Sequence, residues 1–379
     1  MEPMVDEKGN KHYITESLGK DGQGTLYATK NSDIILRVAD KENEQSNFLL
    51  LPFIGESLNS EDLLLPLDIL VEPNIGHVIN IPEGFAPIST LKNTTGLKRR
   101  LGILSELSKI LIKLHSIPVM YGSMSPLRVF ISPQAASNQV RLLFSSKMNF
   151  SMSFAEEKDD DTYISPEAAK GSGSTLASDS YTFGALAYNI LIFGIDPQQI
   201  ASILTPELEQ LFERAKGEPA ERPKIAEFYK GFLQQLDLML TCKKCHFDFL
   251  YYAESCPSCA APLPKMLKAS IYDKIGNTTV PCGQKILEFA TNRQCFYSYH
   301  TDNVLLDDKI EPRIDCVLKI SGDRKLNMIF KNLMDKEIII NDKPVTKGQA
   351  TVVPLPSEVI NISFKLYSAT ERCIDMVMV

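Results

Sequence analysis

The chain has 379 residues, 44% apolar and 23% charged, which is long and apolar enough for several packed domains and excludes a disordered chain. Its 40 Lys and Arg against 47 Asp and Glu give a net charge of −7, which excludes the basic footprint of a nucleic-acid binder. The polar, acidic start MEPMVDEKGNKHY lacks the pattern of a signal peptide. The longest apolar run, Phe183 to Ile195, is broken by Tyr188 and Asn189 and reads as a buried helix, so the expectation is a cytoplasmic protein with no membrane partner.

Four segments follow in chain order. Residues 1–93 hold short strands separated by turns (YITESLG, GTLYATK, DIILRVAD, HVINIP), with one helix candidate from Lys41 to Phe53. Residues 94–240 are mainly helical. Leu101, Leu104, Leu107, Ile110, Leu111 and Leu114 recur at three- and four-residue steps and predict an amphipathic helix over Leu97 to His115. Residues 241–264 form a short Cys-rich insert ending in APLP. Residues 265–379 alternate apolar and polar residues in short runs (CVLKI, LNMIF, EIIIN, VINISFKLY, CIDMVMV), the pattern of an antiparallel β-sandwich without helices. The predicted fold class is multidomain α+β.

The motifs of the first two segments come in a telling order. Leu18-Gly19-Lys20-Asp21-Gly22-Gln23-Gly24 is Gly-rich, Arg37 stands on the strand that follows, and Glu44 or Glu42 could pair with it. Tyr121-Gly122-Ser123-Met124-Ser125-Pro126-Leu127-Arg128-Val129 follows the long helix, and Val140 to Ser146 follows a turn. Tyr163-Ile164-Ser165-Pro166-Glu167, Asp179-Ser180-Tyr181-Thr182-Phe183-Gly184 and Glu221-Arg222-Pro223 complete the series. Together, from Leu18 to Pro223, they resemble a Ser/Thr protein kinase whose chemical groups have been replaced, a pseudokinase. The resemblance implies a bilobal fold, with an N-lobe over 1–93 and a C-lobe over 94–240.

It also implies inactivity. Arg37 stands at the catalytic-lysine position, Ser123 at the catalytic aspartate and Arg128 at the metal-binding asparagine. No Asp lies between Val140 and Ala155, where the magnesium ligand belongs. Phosphoryl transfer rests on positioned charge and metal, so these exchanges remove its basis. Two readings of the cleft stay open. In one, Gly19, Gly22, Gly24, Arg37 and Arg128 hold ATP without magnesium; in the other, the arginines form salt bridges and the cleft is empty. The resemblance further implies an ion pair between Glu167 and Arg222.

Cys242-x2-Cys245 and Cys256-x2-Cys259 enclose ten residues. Two such knuckles present four thiolates to one tetrahedral zinc and leave no position for water, so the metal is expected to be structural; a redox C-x-x-C pair and a rubredoxin-like iron site are the alternatives. Phe247 to Tyr252 suits a hairpin strand over the site, and the pattern is similar to small bacterial zinc ribbons. In the last segment, Tyr299 to Asp308, Arg313 to Leu318 and Ile339 to Val345 resemble a forkhead-associated (FHA) domain, which reads phosphothreonine. Tyr299, Pro312 and Asp315 stand where the family carries Arg, Ser and His, so phosphopeptide binding is not implied for this chain, and a generic β-sandwich for protein contact is the equal alternative. The combined expectation is a non-catalytic bacterial signalling scaffold that binds a phosphatase or an active kinase. The alternative is an atypical active kinase or nucleotidyl transferase, recruiting Asp21, Glu44 or Asp159 to Asp161.

Overall fold

Alternating burial along the first strands builds a sheet with two apolar faces. In the computed structural model the described residues are 2–20, 24–39, 62–92, 95–122, 124–134, 137–145, 148–150, 163–171, 174–289, 293–302, 310–321 and 325–379. The expected helix from Lys41 to Phe53 lies outside them. The chain separates into two units, residues 1–197 with 206–232, and residues 198–205 with 233–379.

The first unit opens with β1 (Met4–Asp6), β2 (Lys11–His12), β3 (Ile14–Lys20), β4 (Gly24–Thr29), β5 (Ile34–Ala39), β6 (Leu63–Leu64), β7 (Pro66–Glu72), β8 (Gly76–Asn80) and β9 (Ala86–Pro87). Seven of them form one antiparallel sheet in the order β2-β1-β7-β8-β5-β4-β3. Period-two alternation sends Leu26, Ile35 and Ile79 to one face, where they meet Phe85, Phe130 and Leu143, and Leu36 and Val78 to the other, where they meet Met4 and Leu70.

Helix α1 (Leu97–Ser116) buries Leu101, Leu104, Leu107, Ile110, Leu111 and Leu114, the residues whose spacing predicted it. Short strands follow: β10 (Val119–Met120), β11 (Val129–Ile131), β12 (Val140–Leu143) and β13 (Asn149–Phe150). They form a β10-β13 pair and a four-stranded sheet β6-β12-β11-β9, so the segment expected to be mainly helical also carries sheet. Then come α2 (Pro166–Ala169), α3 (Leu176–Ile192), α4 (Pro206–Ala215) and α5 (Ile225–Asp237). Thr175 and Ser178 close a capping box at the start of α3. Phe183 of α3 stacks edge-on against Phe228 at 5.4 Å between ring centroids, and Phe212 lies 5.9 Å from Phe228, which makes an aromatic core between α3, α4 and α5.

The second unit holds β14 (Met239–Thr241), β15 (Asp248–Leu250), β16 (Met266–Ile275), β17 (Thr278–Glu288), β18 (Arg293–Tyr297), α6 (Ser298–Thr301), β19 (Pro312–Ile320), β20 (Leu326–Asn332), β21 (Ile338–Ile340), β22 (Lys343–Val345), β23 (Ala350–Leu355), β24 (Ile360–Tyr367) and β25 (Thr370–Met378). Its sheets run β17-β16-β25-β24-β21-β22 and β18-β19-β20-β23. One apolar cluster draws Leu267, Ile271, Ile362 and Ile374 from the first and Phe296, Ile314, Phe330 and Val353 from the second. Among the described residues after 264 there is a helical turn, α6, which was not expected. Its ring acceptor, Nδ1 of His300, takes the Tyr297 N–H at 2.9 Å and closes the turn.

The two units divide at Phe232 and Leu233. The reason is polar. Gln235 Oε1 accepts from Thr205 N at 2.9 Å while its Nε2 donates to Ile203 O at 2.7 Å, which binds residues 198–205 into the second unit. Asp237 is buried there, accepting from Lys285 Nζ at 2.6 Å, His300 Nε2 at 2.7 Å and Tyr299 Oη at 3.1 Å.

Candidate functional site

The four cysteines converge. Thr241 to Cys242 leaves β14, and the chain turns back into β15 through the first knuckle; Thr241 Oγ1 donates to Asp248 Oδ1 at 2.7 Å across that hairpin. The same hydrogen-bond pattern is built twice. His246 N donates to Cys242 O at 2.9 Å and Cys242 N to Phe247 O at 2.9 Å; Ala260 N donates to Cys256 O at 2.8 Å and Cys256 N to Ala261 O at 2.9 Å. The repeat aims all four Sγ atoms at one point, within 4.8 Å of one another. Cys242 and Cys259 lie 3.6 Å apart, and Cys245 and Cys256 3.5 Å. A ZnS4 tetrahedron with bonds of about 2.3 Å has edges of about 3.8 Å, so the set fits a metal of that size. The N–H groups of Cys245 and Lys244 hold the Cys242 thiol down at about 6, whereas burial pushes the Cys256 thiol up to about 12, so the thiols of the set differ when no metal is bound. His246 sits beside the set without belonging to it.

His246 and Ala260, the residues after each second cysteine, take φ of 60° and 54°. That left-handed conformation costs a side-chain-bearing residue about 1 kcal/mol, and glycine adopts it freely. His246→Gly and Ala260→Gly are therefore each expected to raise stability by about 0.5–1 kcal/mol, read as a higher urea midpoint at constant slope.

The positions aligned with kinase chemistry form a second grouping, all in the first unit. Arg37 is buried at 4% exposure, and its Nη1 donates to the Phe144 carbonyl at 2.8 Å. Opposite it on β8, burial and the Arg37 charge push the His77 ring down to about 4, so it stays neutral at pH 7. Arg128 is fully buried; its N–H donates to Ser125 O at 3.0 Å and its carbonyl accepts from Leu143 N at 2.8 Å. The glycines have local reasons of their own. A Cβ on Gly24 would stand 2.2 Å from the Val38 carbonyl of β5, so only glycine permits that pairing. Gly19, at φ 131°, lies over Leu127, whose Cδ1 would be 2.8 Å from an added Cβ. Leu18 and Leu127 both pack on the cluster of Leu26, Ile35, Ile79, Phe130 and Leu143. Gly22 and Ser123 lie outside the described residues, as do Asp21, Glu42, Glu44 and Asp159 to Asp161.

Around these positions the packing is held by a buried carboxylate, Asp179, and a half-buried one, Glu167. Asp179, fully buried near the start of α3, accepts from Tyr121 N at 2.7 Å, Gly122 N at 2.9 Å and His115 Nε2 at 2.9 Å. Gly122 meets it at φ 91°, a turn only glycine makes without strain. Tyr121 Oη donates to the Leu143 carbonyl at 2.6 Å. Glu167 takes a two-pronged contact from Arg222, Nη1 to Oε1 at 2.5 Å and Nη2 to Oε2 at 2.9 Å, with Ser178 Oγ adding a third bond at 2.9 Å. Asp179→Asn swaps an acceptor oxygen for a donor against N–H groups. We expect it to cost about 2 kcal/mol in denaturant melts and to release amide protection at Tyr121 and Gly122.

Arg100, Asp237 and His300 escaped the sequence reading. Each is a polar residue inside an apolar pattern, and that exception is the one signal a single sequence offers. Among the described residues, no helix is long and apolar enough to cross a membrane. No protein-family model and no curated protein matches the chain.

Proposed function

We propose that this protein is a non-catalytic, kinase-like signalling scaffold, carrying a structural zinc ribbon and an FHA-like β-sandwich, that acts by binding a protein partner. A phosphatase or an active kinase is the partner class that the resemblance implies, and the cytoplasm is the setting. The observation that carries the reading is the cleft itself. Gly19 rests on Leu127, with Leu18 and Leu127 in one apolar cluster, and Arg37 is tied to a backbone carbonyl. A purine base stacked between two walls needs about 3.5 Å on each side, the van der Waals contact distance, and direct contact of the walls leaves no such slot. The fixed parts point the same way: Asp179 on the Tyr121–Gly122 turn and Glu167 on Arg222 support a lobe kept for its shape. The paired sheets with one shared core support the sandwich, and the thiol set with its repeated knuckles supports zinc.

The test is a melt of the full chain with metal-free ATP and no free chelator, with ATP and magnesium, and with neither. A ligand that binds only the folded form at 100 times its Kd adds about 2.7 kcal/mol, an easily seen rise in Tm. We expect the three melts to coincide. A rise with ATP alone would return the arginines to phosphate binding, and a rise only with magnesium would revive the transferase.

A further inference from the structure

A cavity of 190 Å³ opens on the first unit, walled by Ile88, Leu91, Leu186, Ile190 and Phe193 and floored by Pro126. Among the described residues, no charged side chain lines it. An apolar cavity of about 150 Å³, engineered into the core of another protein, takes up benzene and excludes water. This one is slightly larger, so its size suits one ring of phenol or indole dimensions. Drug-sized ligands occupy about 300 Å³ or more.

The wall is built in advance. Arg100 of α1 is fully buried, and its Nη1 donates to the carbonyls of Ile190 and Leu191 at 3.1 Å and of Phe193 at 2.6 Å. Its guanidinium also lies 6.0 Å from the Phe193 ring. This contact fixes the end of α3 and keeps Phe193 in place although that side chain is 46% exposed. At the mouth, Asn189 Nδ2 donates to Tyr163 Oη over 3.4 Å, a long bond between two groups that can each also serve a ligand. Apolar walls, an uncharged interior and one neutral polar edge describe the complement of an uncharged aromatic ring that carries a single O–H or N–H.

The geometry points to a binding pocket for a phenol or indole ring, supplied either as a free small molecule or as a Tyr or Trp side chain. This inference does not rest on the kinase-like reading. Its failure would leave the nucleotide melts unchanged, and theirs would leave this pocket unchanged.

The experiment is a melt and a proton NMR titration of the full chain with p-cresol and with indole. At ten times Kd, the ratio of folded to unfolded chain rises about elevenfold. Leu91→Trp should fill the cavity and weaken both ligands at least tenfold. Ser89→Trp, at an exposed rim position, should do the same without touching the core. Retained binding in both variants, or no binding of either ring by the native chain at millimolar concentration, overturns the proposal. N-acetyl-tyrosinamide separates the sources. Binding within threefold of p-cresol assigns the ring to a polypeptide partner, and exclusion of the capped residue while p-cresol binds assigns it to a free molecule.

Discussion

Replacing Cys256 with Ser is expected to strip one metal ion from each chain and to unfold the ribbon from Thr241 to Pro262. A structural zinc contributes about 10–16 kcal/mol of apparent binding free energy in peptides that fold only around it. Here β14 and β15 also pair directly, through Met239 with Leu250 to Thr241 with Asp248, so part of the ribbon has support besides the metal. The expected loss is several kcal/mol rather than the full amount. Two measurements check it. Elemental analysis should fall from one zinc per chain to well below one. Hydrogen exchange should speed up at the amides of His246 and Ala260, whose bonds close the two knuckles. A chain that still holds one zinc after the substitution, or that never held one, would refute the assignment. Chelation of the native protein should reproduce the same exchange pattern, since the loop that the metal closes is the same in both experiments.

The second large effect is expected at Glu167 and Arg222. The Arg222 side chain is 2% exposed, and besides Glu167 it serves the carbonyls of Gly217 at 3.0 Å and Ala177 at 3.1 Å. Its guanidinium also lies over the Tyr181 ring at 5.1 Å. Arg222→Ala removes all of these at once and leaves the carboxylate without its countercharge. Breaking a fully buried pair from one side costs about 3–5 kcal/mol, and the half-buried Glu167 carboxylate, which water can still reach, brings the expected cost down to about 2–3 kcal/mol. Glu167→Ala should cost a similar amount, and the double variant little more than either alone. A double variant equal to the sum of the singles would show that the two residues act independently.

The pair also predicts a pH dependence. Burial alone would raise the Glu167 carboxyl, but the bonds from Arg222, its own N–H and Ser178 outweigh burial and hold it down at about 2, against 4.5 ordinarily. A lowered carboxyl contributes stability that is fully present above its unfolded value and is lost as pH falls from about 4.5 toward 2. Arg222→Ala should flatten the stability curve in that window.

Local chemistry was legible in the sequence, and long-range partnership was not. A C-x2-C knuckle is complete within four residues, so its spacing announces both the turn and the thiol geometry. The face of α1 could be read because its leucines repeat with the helix. Glu167 and Arg222 became a pair only through the order of motifs around them. Asp237 and His300 stand 63 residues apart and share no pattern, and the same holds for Arg100 and the end of α3, 90 residues away. Their cause is desolvation: once a helix end or a carboxylate is buried, some distant donor must reach it, and the sequence does not say which. Gln235 and Asp237 likewise look like the polar end of a helix, and their partners are Thr205, Ile203, Lys285 and His300. In the Gly-rich run, Gly24 lies against Val38 of β5 and Gly19 against Leu127, neighbours that the run itself does not name.

The strand order of the second unit has a consequence for the newborn chain. β16 lies between β17 and β25, paired with the latter from Leu267 opposite Met378 to Ile275 opposite Thr370. The β16–β17 hairpin is local and is free to form early. The other edge of β16 must wait for a partner about 100 residues further on, which at about 5–20 residues per second is roughly 5–20 s of translation. During that interval a row of backbone donors and acceptors, with Leu267, Ala269 and Ile271 beside it, has no native cover. An edge of that kind recruits other strands. Cells that translate this protein slowly should therefore need a holding chaperone for it, and slowing translation after residue 275 should leave the yield of folded chain lower rather than higher.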